Sequence, residues 1–297
     1  MKLLNFKQNG QVKLGVLTSA GVVDVAAAAK AFEINAPADI HELIEGGSAA
    51  MAAASAVAAQ AVELKSSEYI IPESEVTYAA AVTKPGKIIC VGLNYRRHAE
   101  ETNAPIPQYP ILFNKFNNTI AAHGDTVILP KVSTKVDYEA ELVIVIGKQA
   151  KDVEEEKALN YVFGYCNVND LSARDLQMRT HQWLLGKSCD GFSPLGPYLV
   201  TADEVGDPNK LAISCTVNGE VRQSSNTSDM IFNCKEIVSY ISQYMTLEPG
   251  DIILTGTPEG VVLGYPEDKQ VYLKDGDVVT IEIEKLGALT VTMKQEV

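Results

Sequence analysis

The sequence predicts an α+β, strand-rich protein built in two unequal parts, and three observations carry that prediction. Residues 1–25 alternate apolar and polar positions around Asn9-Gly10 and Ala20-Gly21, the pattern of short strands joined by tight turns. Residues 26–64 are rich in alanine and read as two helical stretches, broken by Pro37 and by Gly46-Gly47. From Lys87 onward strand-like runs recur, while helical periodicity is strong only around residues 152–161, 170–183 and 235–245. A polar connector over 65–86, carrying Pro72 and Lys84-Pro85-Gly86, separates the two regimes. The expected organisation is a small N-terminal α/β domain over residues 1–80 and a β-rich domain over residues 81–297.

In chain order, the expected strands of the larger part are IICVG (88–92), AELVIVIG (140–147), FGYCNVND (163–170), AISCTVNGE (212–220), DIILTG (251–256), DVVTIEIE (277–284) and ALTVTM (288–293). Beyond Glu141 the run at 140–147 is apolar on both faces, so this strand belongs inside a sheet rather than at its edge.

At 297 residues, 46% hydrophobic and 21% charged, the chain has a globular composition and length enough for a core without disulfides. Acidic residues outnumber basic ones 38 to 25, a net charge of −13. Such a surface repels phosphate, which argues against nucleic acid and anionic membranes as partners. An anionic substrate would have to meet a local patch of positive charge. The five cysteines form no C-x-x-C pair and are expected to be reduced thiols. The alanine-rich run 48–62 is too short and too weakly apolar to span a bilayer, and the opening MKLLNFKQNGQVKLG has no long apolar run. A cytoplasmic location is expected. Gly186-Lys187-Ser188 lacks the upstream glycine of a P-loop, since His181 stands there, and Gly92-Leu93-Asn94-Tyr95 is not a dinucleotide fingerprint. Neither H-E-x-x-H nor G-x-S-x-G occurs.

Chemistry concentrates in a few segments. In DYEAELVIVIG (137–147), Glu139 and Glu141 point to the same face of a strand. Side by side they repel each other and are costly to desolvate, and a divalent cation would offset both penalties. A solvated strand end, or pairing of each Glu with a Lys or Arg, is the alternative reading of the same spacing. Asp170, where a strand runs toward a helix, supplies either a third carboxylate or a helix cap. Three oxygen ligands without Cys or His favour a hard ion, Mg²⁺ or Mn²⁺. In Asn94-Tyr95-Arg96-Arg97-His98-Ala99-Glu100-Glu101, His98 and Glu101 share a helix face at i, i+3. A carboxylate beside imidazole raises its basicity, as a general base requires, although the same spacing makes an ordinary surface ion pair. Gly186-Lys187-Ser188 and the glycine-rich turn Thr255-Gly256-Thr257-Pro258-Glu259-Gly260 complete the set.

Taken in order and spacing, ICVGLNYRRHAEE (89–101), DYEAELVIVIGK (137–148), FGYCNVNDLSARDLQ (163–177), GKSCDGFSPLGP (186–197), VNGEVRQSSNTSDMIF (217–232) and LEPGDIILTGTPEGV (247–261) resemble the fumarylacetoacetate hydrolase family. The resemblance covers nearly all of residues 83–297, and the first ~80 residues look like the small variable domain that many members carry. It implies a mixed β-roll catalytic domain with a metal site in its cleft, and a homodimer. By motif matching it implies Glu139, Glu141 and Asp170 as ligands of Mg²⁺, with Mn²⁺ as the other candidate. It implies His98 and Glu101 as a water-activating dyad on a mobile lid segment and Lys187 as the lysine beside the metal. Lys115, Arg174, Gln177 and Thr257 are implied as substrate contacts. Two departures from the family pattern, Phe116 after Lys115 and Val261-Val262-Leu263-Gly264 after Gly260, bear on substrate shape rather than on chemistry.

Such a site would take a small anionic 2-oxo acid and stabilise an enolate. With water delivered by His98–Glu101 to a C4 carbonyl, the outcome is hydrolysis of a C–C bond in a 2,4-diketo acid of the acylpyruvate or fumarylpyruvate type. That reaction is the expectation, because the dyad is intact. Oxaloacetate decarboxylation and keto–enol isomerisation of a 2-hydroxy-dienoate use the same machinery. A metal-binding regulatory protein without turnover is the alternative of a different class, and the intact His98, Glu101 and Lys187 argue against it.

Overall fold

In the computed structural model, which describes residues 1–65 and 67–297, the strand Ala140–Ile146 is buried at every position and lies inside a twelve-stranded sheet. Val162–Asn169 pairs with it antiparallel on one side, with Ala140 opposite Asn169. Ile252–Leu254 pairs antiparallel on the other side and is followed by Ile88–Gly92 and the edge strand Ile111–Lys115. Alternate residues of the central strand serve two cores, as the two-residue period demands. Leu142, Ile144 and Ile146 join a cluster with Ile213, Ile281, Val291 and the apolar face of the helix Cys234–Tyr244. Val143 and Val145 face the other way, onto Leu3, Val16, Leu43 and Val57.

The N-terminal segment continues the same sheet. Lys2–Gln8 pairs with Ser193–Thr201, and the strands Gln11–Thr18 and Gly21–Asp24 extend it outward through a turn at Asn9-Gly10, both of positive φ. Asp24 caps the helix Val25–Ala31 and Asp39 caps Ile40–Glu63, which is interrupted at Gly47. No helix among the described residues is long and apolar enough to cross a membrane. A second sheet of five strands runs in the order Glu220–Asn226, Ala212–Val217, Val278–Ile283, Gly287–Gln295 and Thr126–Leu129. The five cysteines are free thiols, four of them buried.

All seven expected strand runs of the larger part are strands, and the alanine-rich region and the segment at 235–245 are helical. Two expected helices are not. Residues 152–161 form only a 3₁₀ segment, Glu155–Tyr161, because the amides of Asp152 and Val153 are taken by the carbonyl and hydroxyl of Ser242. The stretch 170–183 holds a single turn of helix, Arg174–Gln177, because Ser172–Ala173 pairs as a short strand with Val136–Asp137 and a Thr180–Gln182 turn follows. Conversely, Ser193–Thr201 is a strand that the sequence pattern hides behind Pro194 and Pro197, residues that donate no ladder hydrogen bond. The sheet absorbs it with a register shift opposite Tyr165 and Asn167.

Candidate active site

The site grows from the mouth of the central strand. Glu139 precedes Ala140, and Glu141 follows two residues later on the same face. Because Ala140 lies opposite Asn169, the chain leaving Val162–Asn169 delivers Asp170 to the same place. The Asp170 amide donates to the Glu139 carbonyl at 2.9 Å, and the Glu139 amide donates to Asn169 Oδ1 at 3.0 Å. Carboxylate oxygens of Glu139, Glu141 and Asp170 come within 4.8 Å of one another, and all three residues are buried. Asp170 does not cap the following helix turn, whose flanking residue is Ala173.

Three buried cations surround these acids. Lys187 Nζ lies 2.7 Å from Glu139 Oε2 and 2.8 Å from Asp170 Oδ2. Lys115 Nζ pairs with Asp170 Oδ1 and donates to the Phe192 carbonyl at 2.6 Å. Arg174 places Nη2 2.9 Å from Glu139 Oε1 and donates from Nε to Asp137 Oδ2 at 2.9 Å. Burial pushes the Glu139 carboxyl upward, but Lys187 and Arg174 together outweigh it and hold the group at about 2. Glu141 is pushed well above the usual carboxylate range by burial and by the charges of Asp170 and Glu139, against which the Gly256 N–H at 2.8 Å weighs less. The Lys187 ammonium loses from burial and gains more from Asp170 and Glu139, so it is held charged. Three converging carboxylates, one of them disfavoured as an anion, with no His or Cys among them, suit a hard divalent ion.

His98 and Glu101 sit on the short helix Arg96–Glu101, with His98 Nδ1 2.8 Å from Glu101 Oε1. The other carboxylate oxygen of Glu101 accepts the Gly260 N–H at 2.9 Å. Gly260 has φ +99°, and a β-carbon there would collide with the Arg222 carbonyl, so the turn that orients Glu101 needs glycine. With Nδ1 engaged by a carboxylate, Nε2 is the ring nitrogen left to act as a base.

These groups share one cavity of about 560 Å³. Of the ten residues singled out in the sequence, His98, Glu101, Glu139, Glu141, Arg174, Gln177, Lys187 and Thr257 line it. Thr257 Oγ1 donates to the Ala140 carbonyl and accepts from Gln223 Nε2. Gln177 Oε1 accepts from Arg174 Nη1. Asp170 lies just behind the cavity wall. Lys115, expected as a substrate contact, lies behind Asp170 with its ammonium spent on Asp170 and Phe192, and so acts on the acid cluster rather than on the cavity.

Residues 87–294 match the family model described as fumarylacetoacetate (FAA) hydrolase C-terminal. The chain belongs to the fumarylacetoacetate hydrolase family. It is 47% identical over 271 residues to a Bos taurus protein named oxaloacetate tautomerase FAHD2A, mitochondrial, covering 91% of this chain and 82% of that one. Among solved structures it resembles maleylpyruvate hydrolase from Sphingobium sp. SYK-6 in complex with manganese(II) ion and pyruvate, with a TM-score of 0.80, 31% identity and 100% of both chains covered. It also resembles 5-carboxymethyl-2-hydroxymuconate delta-isomerase from Mycobacterium smegmatis, with a TM-score of 0.76, 31% identity and 100% of both chains covered. This family thus spans isomerases and hydrolases on one scaffold, and this chain is an enzyme of that group.

Sequence reasoning missed two residues that hold the family site together. Asp137 is fully buried and accepts from the amides of Tyr138, Val262 and Leu263 as well as from Arg174. Its signal was present: an acid two residues before Glu139, at the end of the short strand Val136–Asp137. Gln223 links the Ala140 amide to Thr257 and the Pro258 carbonyl; it lies in the segment 217–232 that resembles the family, but nothing in its spacing marks its role.

Proposed function

We propose that this chain is a divalent-metal-dependent keto–enol tautomerase of a 2-oxo acid, with oxaloacetate as the reference substrate. The observation that carries this reading is the opening of the His98–Glu101 pair and of Glu139 and Glu141 into one cavity. The names of the curated relatives favour tautomerisation over the C–C hydrolysis expected from the sequence. Glu139, Glu141 and Asp170 would hold the metal, with Mg²⁺ or Mn²⁺ as the candidates. When bound, such an ion supplies Lewis-acid stabilisation of negative charge on the 2-oxo group. His98 Nε2 removes the C3 proton, the electron pair of that C–H bond becomes the C2–C3 double bond, the C2=O π pair moves onto the oxygen, and the His98 imidazolium returns the proton to that oxygen. Glu101 holds the imidazole in the right tautomer and stabilises its charged form. Arg174 and Lys187 hold the substrate carboxylate, the local positive patch that a chain of net charge −13 requires.

C–C hydrolysis is the second reading, favoured by the likeness to maleylpyruvate hydrolase. There the same His98 takes its proton from water instead of from C3. The deciding experiment follows the loss of enol absorbance from oxaloacetate, and pyruvate release from acetylpyruvate and maleylpyruvate, at saturating Mg²⁺ or Mn²⁺. Fast tautomerisation with negligible pyruvate release supports the first reading. The reverse result promotes the second, and silence on every substrate with either metal overturns both. We also propose a homodimer and a reducing, cytoplasm-like compartment, the latter supported by five free cysteines.

A further inference from the structure

The reading of this cavity as a 2-oxo acid site leaves most of its wall unexplained. Among the described residues, Arg174 and Lys187 are the only lysine or arginine side chains that line it, and both stand at the acid cluster. From there the wall turns apolar. The Lys187 ammonium lies 5.1 Å from the centre of the Phe113 ring, and Phe113 meets Trp183 edge-on at 5.3 Å between centroids. Trp183 is seated against Gly92, where a β-carbon would collide with the indole. Met178, Leu263 and Tyr265 continue this lining. A cavity of about 560 Å³ is in the range of sites for ligands much larger than a four-carbon acid. A carboxylate carried farther out than C4, along that apolar wall, would meet no lysine or arginine there and would lose its hydration without compensation.

Resting on that 2-oxo acid reading, we propose that the cavity is shaped for 2-oxo acids bearing a flat apolar group at C3, the arylpyruvate class, with Phe113 and Trp183 as the wall that recognises the ring. Aromatic edges and faces suit a planar hydrophobic substituent, and Trp and Phe supply large contact area with little side-chain freedom to lose. The reaction on this substrate is the same isomerisation: the C3–H pair becomes the C2–C3 double bond, one proton moves from C3 to the C2 oxygen, and no other reactant is consumed. Conjugation of that double bond with the ring stabilises the enol.

Titration calorimetry with Mg²⁺ present, using phenylpyruvate and pyruvate as probes, tests recognition in the wild-type chain. We expect phenylpyruvate to bind about tenfold tighter or more, the scale on which an apolar pocket rewards added hydrocarbon. Because Trp183 is the chain's one tryptophan, its emission reports ring occupancy directly. The non-absorbing probe 3-cyclohexylpyruvate should shift that emission, and pyruvate should not. In parallel, kcat/KM for tautomerisation is compared between phenylpyruvate and oxaloacetate, and their ratio should fall at least about tenfold in Trp183→Ala. Equal wild-type affinities for phenylpyruvate and pyruvate, or an unchanged ratio in a folded Trp183→Ala, would overturn the aryl site while leaving oxaloacetate turnover as evidence for the 2-oxo acid reading. Absence of binding or turnover with every 2-oxo acid would instead overturn that underlying reading.

Discussion

Lys187 Nζ lies 2.7 Å from Glu139 Oε2, so this member of the carboxylate cluster is already paired with a buried cation before any metal ion enters. The pair is not isolated, because the same ammonium reaches Asp170. Lys187 therefore sets how much negative charge the cluster presents.

Lys187→Met removes that cation and leaves two acids buried with less compensation. Breaking a buried ion pair from one side costs roughly 3–5 kcal/mol. The metal-free variant should melt well below wild type, and Mg²⁺ should raise its melting temperature by more than it raises that of wild type, since a ligand of the native state stabilises more the more tightly it binds. Thermal scans with and without Mg²⁺ check this. A smaller metal-induced shift in the variant would show that Lys187 builds the site rather than competing for it. Substrate capture and turnover should both fall.

Glu141 gives a pH dependence of known sign. Its carboxyl is held well above its ordinary value of 4.5 by burial and by Asp170 and Glu139. A group raised in this way contributes stability that is fully present below 4.5 and lost as pH rises through its elevated value. Metal-free protein should thus lose stability over that rise, and Glu141→Gln should flatten the loss. Binding of Mg²⁺ should expel the proton, so affinity falls as pH is lowered. Calorimetric titration in two buffers of different ionisation enthalpy measures the released proton, and identical heats would contradict the assignment.

His98→Ala and Glu101→Ala should each reduce turnover by about 10²–10⁴-fold, the usual range for a general base and its support. Neither residue belongs to the acid cluster, so Mg²⁺ affinity measured by calorimetry should stay at the wild-type value. Loss of metal binding in either variant would mean that the helix Arg96–Glu101 shapes the acid cluster itself.

Asp137→Asn tests a positioning role. The carboxylate joins Arg174 to the amides of Val262 and Leu263, and Leu263 forms part of the cavity wall with Gly264 and Tyr265. With that anion gone, Arg174 keeps its contacts to Glu139 and Gln177 but loses its anchor. KM should rise more than kcat falls, together with a stability loss of roughly 3–5 kcal/mol by chemical denaturation. An unchanged KM in a destabilised variant would reduce Asp137 to a purely structural residue.

The proposed homodimer is checked by light scattering on the 32.0 kDa chain. A mass near twice that value across micromolar concentrations is expected, and a monomer mass would remove the dimer from the account.

What the sequence determined by itself follows from short-range periodicity. Two residues apart on a strand means one face, so Glu139 and Glu141 were legible as neighbours. Three apart on a helix means one face, so His98 and Glu101 were too, and the structure brings their side chains to 2.8 Å. Seven strand runs were legible for the same reason; Ser193–Thr201 was not, its pattern broken by two prolines, and the short strands Ile111–Lys115 and Thr126–Leu129 were not read either. Tertiary structure alone decided which distant residues meet. Asp170 reaches Glu139 because antiparallel register sets Ala140 against Asn169, and Lys115 turns behind the cluster rather than toward the cavity because Asp170 and the Phe192 carbonyl hold its ammonium there. Gln223 joins Thr257, and Phe113 joins Trp183, across sequence gaps that no local period spans. Sequence periodicity fixes which side chains share a face; only the pairing of strands and the packing of the two cores fixes what that face meets.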